Sequence, residues 1–183
     1  MKTTKWILDP THSEIQFKVK HLMISTVTGQ FNKFEGTFTS EGANFSTSKA
    51  KINVDVTSIS TNNEQRDAHL KADDFFDTKN FPNLTFESGK VEKLDEENYK
   101  IHGTLMIRGI SKEIVLDGEL SDTIKDPWGN ERIGISIEGK INRKDFGVSF
   151  SMLTETGGIA LGNEVKFFVN AQFVKQQAET AAN

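Results

Sequence analysis

The chain has 183 residues, 36% hydrophobic and 26% charged, with a formal charge of -4 and a pI near 5.6. That is the composition of one globular domain, without the basic field a nucleic-acid binder carries. Zero cysteines exclude disulfides, thiolate zinc sites and cysteine nucleophiles, and no apolar run approaches the roughly 18 residues of a membrane-spanning helix. Phe is over-used, 14 against 2 Trp and 1 Tyr. On composition alone this favours a Phe-rich core over a ligand cavity, although a dry cavity built for hydrocarbon draws on the same residue.

The amino terminus reaches Pro10 without an apolar h-region, which leaves the chain in the cytoplasm as written, and in the periplasm if a signal has been removed. Trp6 to Leu8 reads as a short first strand, broken by Asp9-Pro10. Glu14 to His21 then alternates strictly, with Ile15, Phe17 and Val19 on one face and Glu14, Gln16, Lys18 and Lys20 on the other. His21 ends the apolar row with an imidazole that needs a partner. Met23 to Gly29 reads as a polar connection. Phe31, Phe34, Gly36 and Phe38 mark a second strand, whose change of parity predicts a bulge. Strands follow around Gly42 to Phe45 and from Ala50 to Ile59, with Ile52, Val54 and Val56 inward.

From Asn62 to Asp73 the period of two is lost. Asn62 with Gln65 resembles a helix N-cap and its reciprocal partner, Asp67 and Lys71 stand at i and i+4, and Arg66 and His69 share a face. This predicts one short helix, running into a loop with Phe75, Phe76 and Phe81 beside acidic residues. Strands resume at Asn83 to Ser88, Lys90 to Leu94 and Tyr99 to Arg108, the last with Tyr99, Ile101, Leu105 and Ile107 inward and His102 outward. Glu113 to Ser121, the alternation from Ile133 to Ile141 and Glu164 to Val174 complete the set, before a polar tail from Gln176 to Asn183.

Eight or more strands with little helix must bury one face, as a sandwich or as a sheet closed on itself. Gly36, Gly103, Gly118 and Gly139 lie inside strand patterns, where glycine permits sharp bends. A closed barrel of about eight strands has room for one small ligand. Its predicted lumen comprises Ile15, Phe17, Val19, Phe31, Phe34 and Val54 from the first half of the chain. Phe76, Phe86, Ile101, Leu105 and Ile107 follow, then Ile135, Ile137, Phe146, Phe167 and Val169.

Polar residues end these rows. The row through Ile135, Ile137 and Ile141 continues, if the strand does, to Arg143 and Asp145, so the predicted rim is His21, Arg66, His69, Arg143 and Asp145. Arg143 can fork onto a phosphate or carboxylate, or sit in a structural ion pair with Asp145, as Arg66 can with Asp67. There is no Gly-x-Ser-x-Gly, and the histidines at 12, 21, 69 and 102 lack metal-ligand spacing, so neither metal nor cofactor is expected.

Taken together, Asp9-x-x-His12-Ser13-x-Ile15-x-Phe17-x-Val19-x-His21, Arg66-Asp67-x-His69-Leu70, Asp74-Phe75-Phe76-Asp77, Phe81-Pro82, Gly103-x-Leu105-x-Ile107-x-Gly109, Asp126-Pro127-Trp128-Gly129 and Arg143-x-Asp145-Phe146-Gly147 resemble the YceI-like family in order and spacing. The resemblance covers Asp9 to about Val174. It implies a bacterial, lipocalin-like antiparallel barrel with a helix near one end, holding a long-chain lipid such as a polyisoprenoid, an isoprenoid quinone precursor or a fatty acid amide. A stress-related role and a homodimer are likewise implied by resemblance alone.

Two other classes compete with a lipid carrier that spans no membrane and performs no chemistry. An enzyme acting on a lipid would use His21 or His69 as general base near Asp145. A structural barrel would have its interior filled by Phe.

Overall fold

The first strand does not stop at Asp9-Pro10. In the computed structural model, which describes residues 2–151 and 160–177, β1 runs from Thr3 to His21. Asp9 to Glu14 is an irregularity within it. Asp9 Oδ1 accepts from Thr11 N at 3.0 Å, while Ser13 Oγ donates to the Asp9 carbonyl at 2.6 Å and accepts from Gln172 N at 3.0 Å. These side chains replace the missing ladder bonds, and a proline is tolerated at such a bulge.

Its length gives β1 two neighbours on one edge. Ile15–His21 pairs with β2 (Ser25–Phe31) and Thr3–Ile7 with β3 (Phe34–Glu41). From β3 the sheet continues through β4 (Asn44–Asp55), β6 (Asn83–Lys93), β7 (Asn98–Ile107), β8 (Ile110–Leu120) and β10 (Glu131–Asn142) to β11 (Leu161–Lys175). Pairing of β11 with β1 closes an antiparallel barrel of eight strands. β2 and β5 (Ile59–Ser60) prolong the wall at the His21 end, and β9 (Ile124–Lys125) pairs with β10 at the other.

Several local expectations are corrected. Met23 to Gly29 is mostly strand, because Val27 and Phe31 keep the inward parity across polar neighbours. The predicted bulge between Phe31 and Phe34 is a break at Asn32-Lys33, whose amides both donate to Ser58 Oγ. The helix α1 is only Glu64–Leu70 and is capped by Asn63, whose Oδ1 accepts from Arg66 N at 3.0 Å. Asn62 sits instead in the left-handed region at φ 60. Asp67 does not meet Lys71; it turns to Thr61. The polar tail beyond residue 177 lies outside the described residues.

The two ends of the barrel differ. At the Thr3 end, the buried residues Trp6, Leu8, Phe38, Ile133 and Phe173 pack into a plug, with the Trp6 and Phe38 rings stacked at 5.6 Å and Phe173 edge-on to Phe38 at 4.9 Å. Each large side chain so buried contributes about 1.5–3 kcal/mol. Beside the plug, Arg132 donates through Nη1 to Asp9 and through Nε to Asp126, both at 2.7 Å. Partial burial pushes the Asp9 carboxyl up, but hydrogen bonds from Thr11, Arg132 and His12 outweigh it and hold the group well below the usual carboxylate range. The Arg132 guanidinium likewise holds Asp126 down at about 2. At the His21 end lie α1, the loop from Lys71 to Phe81 and a 3-10 turn, Arg143–Phe146, that replaces the expected continuation of β10.

Candidate functional site

Between the plug and α1 the barrel encloses an apolar cavity of about 570 Å³. Every side chain predicted for the lumen lines it except Phe34. Phe34 opens β3 opposite Val54 and packs into the seam where β2 gives way to β3, touching the plug and the Phe31–Val54–Val56–Ile59 cluster. Tyr99, whose inward parity the sequence showed, lines the cavity too, as do Phe38, Phe45, Phe75, Phe150 and Phe173, which lay outside the predicted lumen. Phe38 and Phe173 carried a usable parity signal, whereas Phe75 and Phe150 come from segments without a period.

The lumen is open because large rings lie against the wall and do not stand into it. Phe167 faces Gly139 across the β10–β11 pair, and Phe17 faces Gly29 across β1–β2. A Cβ on Gly139 would stand 2.4 Å from Phe167 Cζ, and one on Gly29 would stand 2.2 Å from Phe17 Cζ. Each glycine leaves the space that its neighbour's ring occupies.

Among the described lining residues only His21, Arg66 and His69 are exposed, and all three lie at the α1 end. This end is therefore the mouth. Arg66 is held by Thr61, donating through Nε to Thr61 Oγ1 and through Nη2 to the Thr61 carbonyl, each at 2.7 Å. Asp67 Oδ1 accepts from Thr61 N and Oγ1 at 2.8 and 2.6 Å. The two charged neighbours thus grip one buried threonine and form no ion pair with each other among the described residues. Arg66 Nη1 makes no hydrogen bond there, which leaves a cationic donor at the mouth. The His69 ring is edge-on to Phe75 and Phe150 at 4.9 and 5.0 Å, and its Nε2 lies 2.9 Å from Asp74 Oδ2.

The other two rim residues are placed differently. Arg143 borders the cavity but is only 4% exposed, and its guanidinium turns away to the carbonyls of Gly162 (2.9 Å) and Val148 (2.8 Å). Burial pushes its pKa down. It ties the 3-10 turn to β11, and a ligand head group would have to displace those carbonyls to reach it. Asp145 is exposed in that turn and does not line the cavity. Among the described residues Arg143 and Asp145 form no ion pair, and His69 pairs with Asp74 and not with Asp145.

The described hydroxyl–imidazole contact is also remote from the lumen. Thr11 Oγ1 and Asp9 Oδ2 both approach the same nitrogen, His12 Nδ1, at 3.1 and 2.9 Å. A nucleophilic triad needs hydroxyl and acid on opposite ring nitrogens. The arrangement around the lumen is suited to excluding water from an apolar chain.

Comparison with known proteins agrees with this geometry. The YceI-like domain model matches residues 6–173. A UPF0312 protein of Staphylococcus aureus strain N315 is 41% identical over 171 residues, spanning 93% of this chain and 97% of its own. The crystal structure of a Campylobacter jejuni YceI protein superposes with a TM-score of 0.74 at 36% identity, covering 86% of this chain and 90% of that one. Two more distant structures share the fold. BcnA from Burkholderia cenocepacia has a TM-score of 0.79 at 20% identity over 90% of this chain and 98% of its own. A polyisoprenoid binding domain from Saccharophagus degradans has a TM-score of 0.67 at 18% identity over 93% and 98%. With the motifs, the closed barrel and a match across nearly its whole length in agreement, the chain belongs to the YceI-like family.

Proposed function

We propose that the protein is a carrier that encloses the tail of a long-chain amphiphile, of which a polyisoprenoid is the favoured example, and performs no reaction on it. The observation that carries this reading is the 570 Å³ apolar cavity with its exposed polar residues confined to one end. At roughly 30 Å³ for a group the size of water, the volume corresponds to about 19 methylene-sized groups. Transfer of each from water contributes about 0.8 kcal/mol, so about ten buried carbons reach the micromolar range before ordering costs are subtracted. The Saccharophagus degradans domain described as polyisoprenoid-binding supports the ligand class through shared fold only.

In this reading the tail sets affinity and the mouth selects the head group. Arg66 and His21 favour a head that is anionic or accepts hydrogen bonds. Native mass spectrometry of the purified protein, with and without added polyprenyl phosphate and long-chain fatty acid amide, tests the proposal. A retained one-to-one lipid complex is the expected result. Protein that stays empty with every long-chain amphiphile overturns it and returns the molecule to the class of structural barrels. Turnover of the lipid, lost in His69→Ala, would make it an enzyme.

A further inference from the structure

The turn joining β1 to β2 is built against its own interests. Leu22 and Met23 both occupy the left-handed region, at φ 52 and 58, where tight hairpins favour Asn and Gly. Leu22, Met23 and Ile24 are nonetheless large, apolar and 41%, 60% and 82% exposed. Of the other exposed hydrophobics of the described residues, Ile7, Leu94, Ile110 and Val115 fall singly, while Ile124 and Trp128 share the β9–β10 hairpin at the opposite end. The three turn residues are contiguous and immediately follow His21 at the mouth. The Leu22 amide donates to the Ala160 carbonyl at 2.8 Å, which fixes the turn to the start of β11.

A second observation lies on the wall just below. Lys140, Lys166 and Lys18 stand side by side on β10, β11 and β1, in direct register, and Lys20 follows Lys18 on the same outward face. Like charges placed opposite each other destabilise a sheet. Among the described residues none of the four forms an ion pair, and Lys18 Nζ instead lies 5.3 Å from the centre of the Phe168 ring. Glu164 on β11 and Glu138 on β10 are acidic residues on the same outward face. A chain of net charge -4 has thus gathered four lysines on the wall just below the apolar turn at the mouth. Hydrophobic insertion flanked by lysines is the chemistry of a surface that docks on anionic lipid.

We infer that the Leu22–Ile24 turn inserts into the interface of a bilayer bearing anionic phospholipid, with Lys18, Lys20, Lys140 and Lys166 on the head groups, so that the cavity mouth faces the membrane. The inference rests on the carrier reading for its purpose, which is exchange of the enclosed lipid with the bilayer. Docking itself is measurable without it.

The test is co-sedimentation of the full chain with vesicles of phosphatidylcholine alone and of phosphatidylcholine mixed with phosphatidylglycerol. Binding to the mixed vesicles that weakens with salt is expected. Leu22→Asn with Met23→Gly restores a favourable turn, so it should raise thermal stability while lowering vesicle affinity about tenfold or more. Lys18→Glu with Lys166→Glu should lower affinity by a similar factor. No binding to anionic vesicles, or binding unchanged in both variants, overturns the inference. So does a dimer in solution that Ile24→Asp dissolves while vesicle binding is absent, because the tip would then serve a second copy. Uptake of a fluorescent polyprenol in detergent-free, vesicle-free buffer is measured in parallel. Intact uptake with failed docking rejects the docking surface alone, whereas failed uptake with intact docking rejects the carrier.

Discussion

The ring of Phe167 occupies the space that a side chain on Gly139 would need, 2.4 Å from the position of its missing Cβ. The cavity is in this sense a property of the wall: volume withheld from β10 is used by β11, and the lumen stays empty of both. Gly139→Val should therefore displace Phe167 into the lumen. The barrel should still form, with unchanged far-ultraviolet circular dichroism. Affinity for a long-chain ligand should fall about tenfold or more, since each displaced methylene contributes about 0.8 kcal/mol. Isothermal titration checks both the loss and the stoichiometry.

Ile137→Asp tests whether the wall is dry. Ile137 lines the lumen and lies beside Gly118, so a carboxylate there is removed from water without an evident partner. The penalty is expected at several kcal/mol, expressed as a raised carboxyl pKa, lower stability and loss of lipid retention. Retention by folded Ile137→Asp protein would contradict the inward assignment.

Arg143 and Arg66 should separate cleanly. Arg143→Ala leaves the carbonyls of Val148 and Gly162 without their buried donor, at about 1–3 kcal/mol for each unsatisfied group. A lower melting temperature is expected, with equal effects on neutral and anionic ligands. Arg66→Ala, which removes the donor to the carbonyl of buried Thr61, should cost less stability than Arg143→Ala and weaken anionic head groups selectively. Thermal denaturation alongside titration with a polyprenol and its phosphate measures the contrast.

Acid should loosen the plugged end first. Asp126 is held near 2 by Arg132, below its ordinary 3.8, and Asp9 is depressed as well. A carboxyl whose folded pKa is lowered contributes stability that is present above the unfolded value and lost as pH falls through the folded one. The contribution should therefore fade between about pH 5 and about pH 2. Arg132→Gln should be less stable at neutral pH and show a shallower acid dependence. Melting temperature against pH for both proteins tests the sign.

Chain length offers a fifth measurement. If 570 Å³ limits occupancy, affinity should rise with tail length up to about 19 carbon-sized groups and then level off, because further carbons remain outside the cavity. A steady rise well beyond that length would mean that the lumen dilates on binding.

What the sequence made legible was the part governed by local alternation. Ile15, Phe17 and Val19 point inward because their strand is regular, and the Ile133–Ile141 row follows the same rule. The failures fall where tertiary contacts override that rule. Asp9-Pro10 looks like a strand end until Ser13 and Gln172 supply the missing hydrogen bonds. Arg143 looks like a rim cation until the chain turns at Asn142 and buries it against the carbonyls of Val148 and Gly162. Phe75 and Phe150, which stack at 4.7 Å, meet from regions 75 residues apart with no periodic signal to announce either. The glycines were visible, but their use was not, since a space-making glycine is defined by the ring on the next strand.

The aromatic plug at the Thr3 end makes the barrel a blind alley. In the proposed carrier, a lipid admitted past His21 would have to leave by the same mouth, with its last carbon in being the first out. Residence time would then be governed by how readily α1 and its neighbouring loop yield, and two lipids could not pass each other inside. A carrier so built would deliver one molecule per visit.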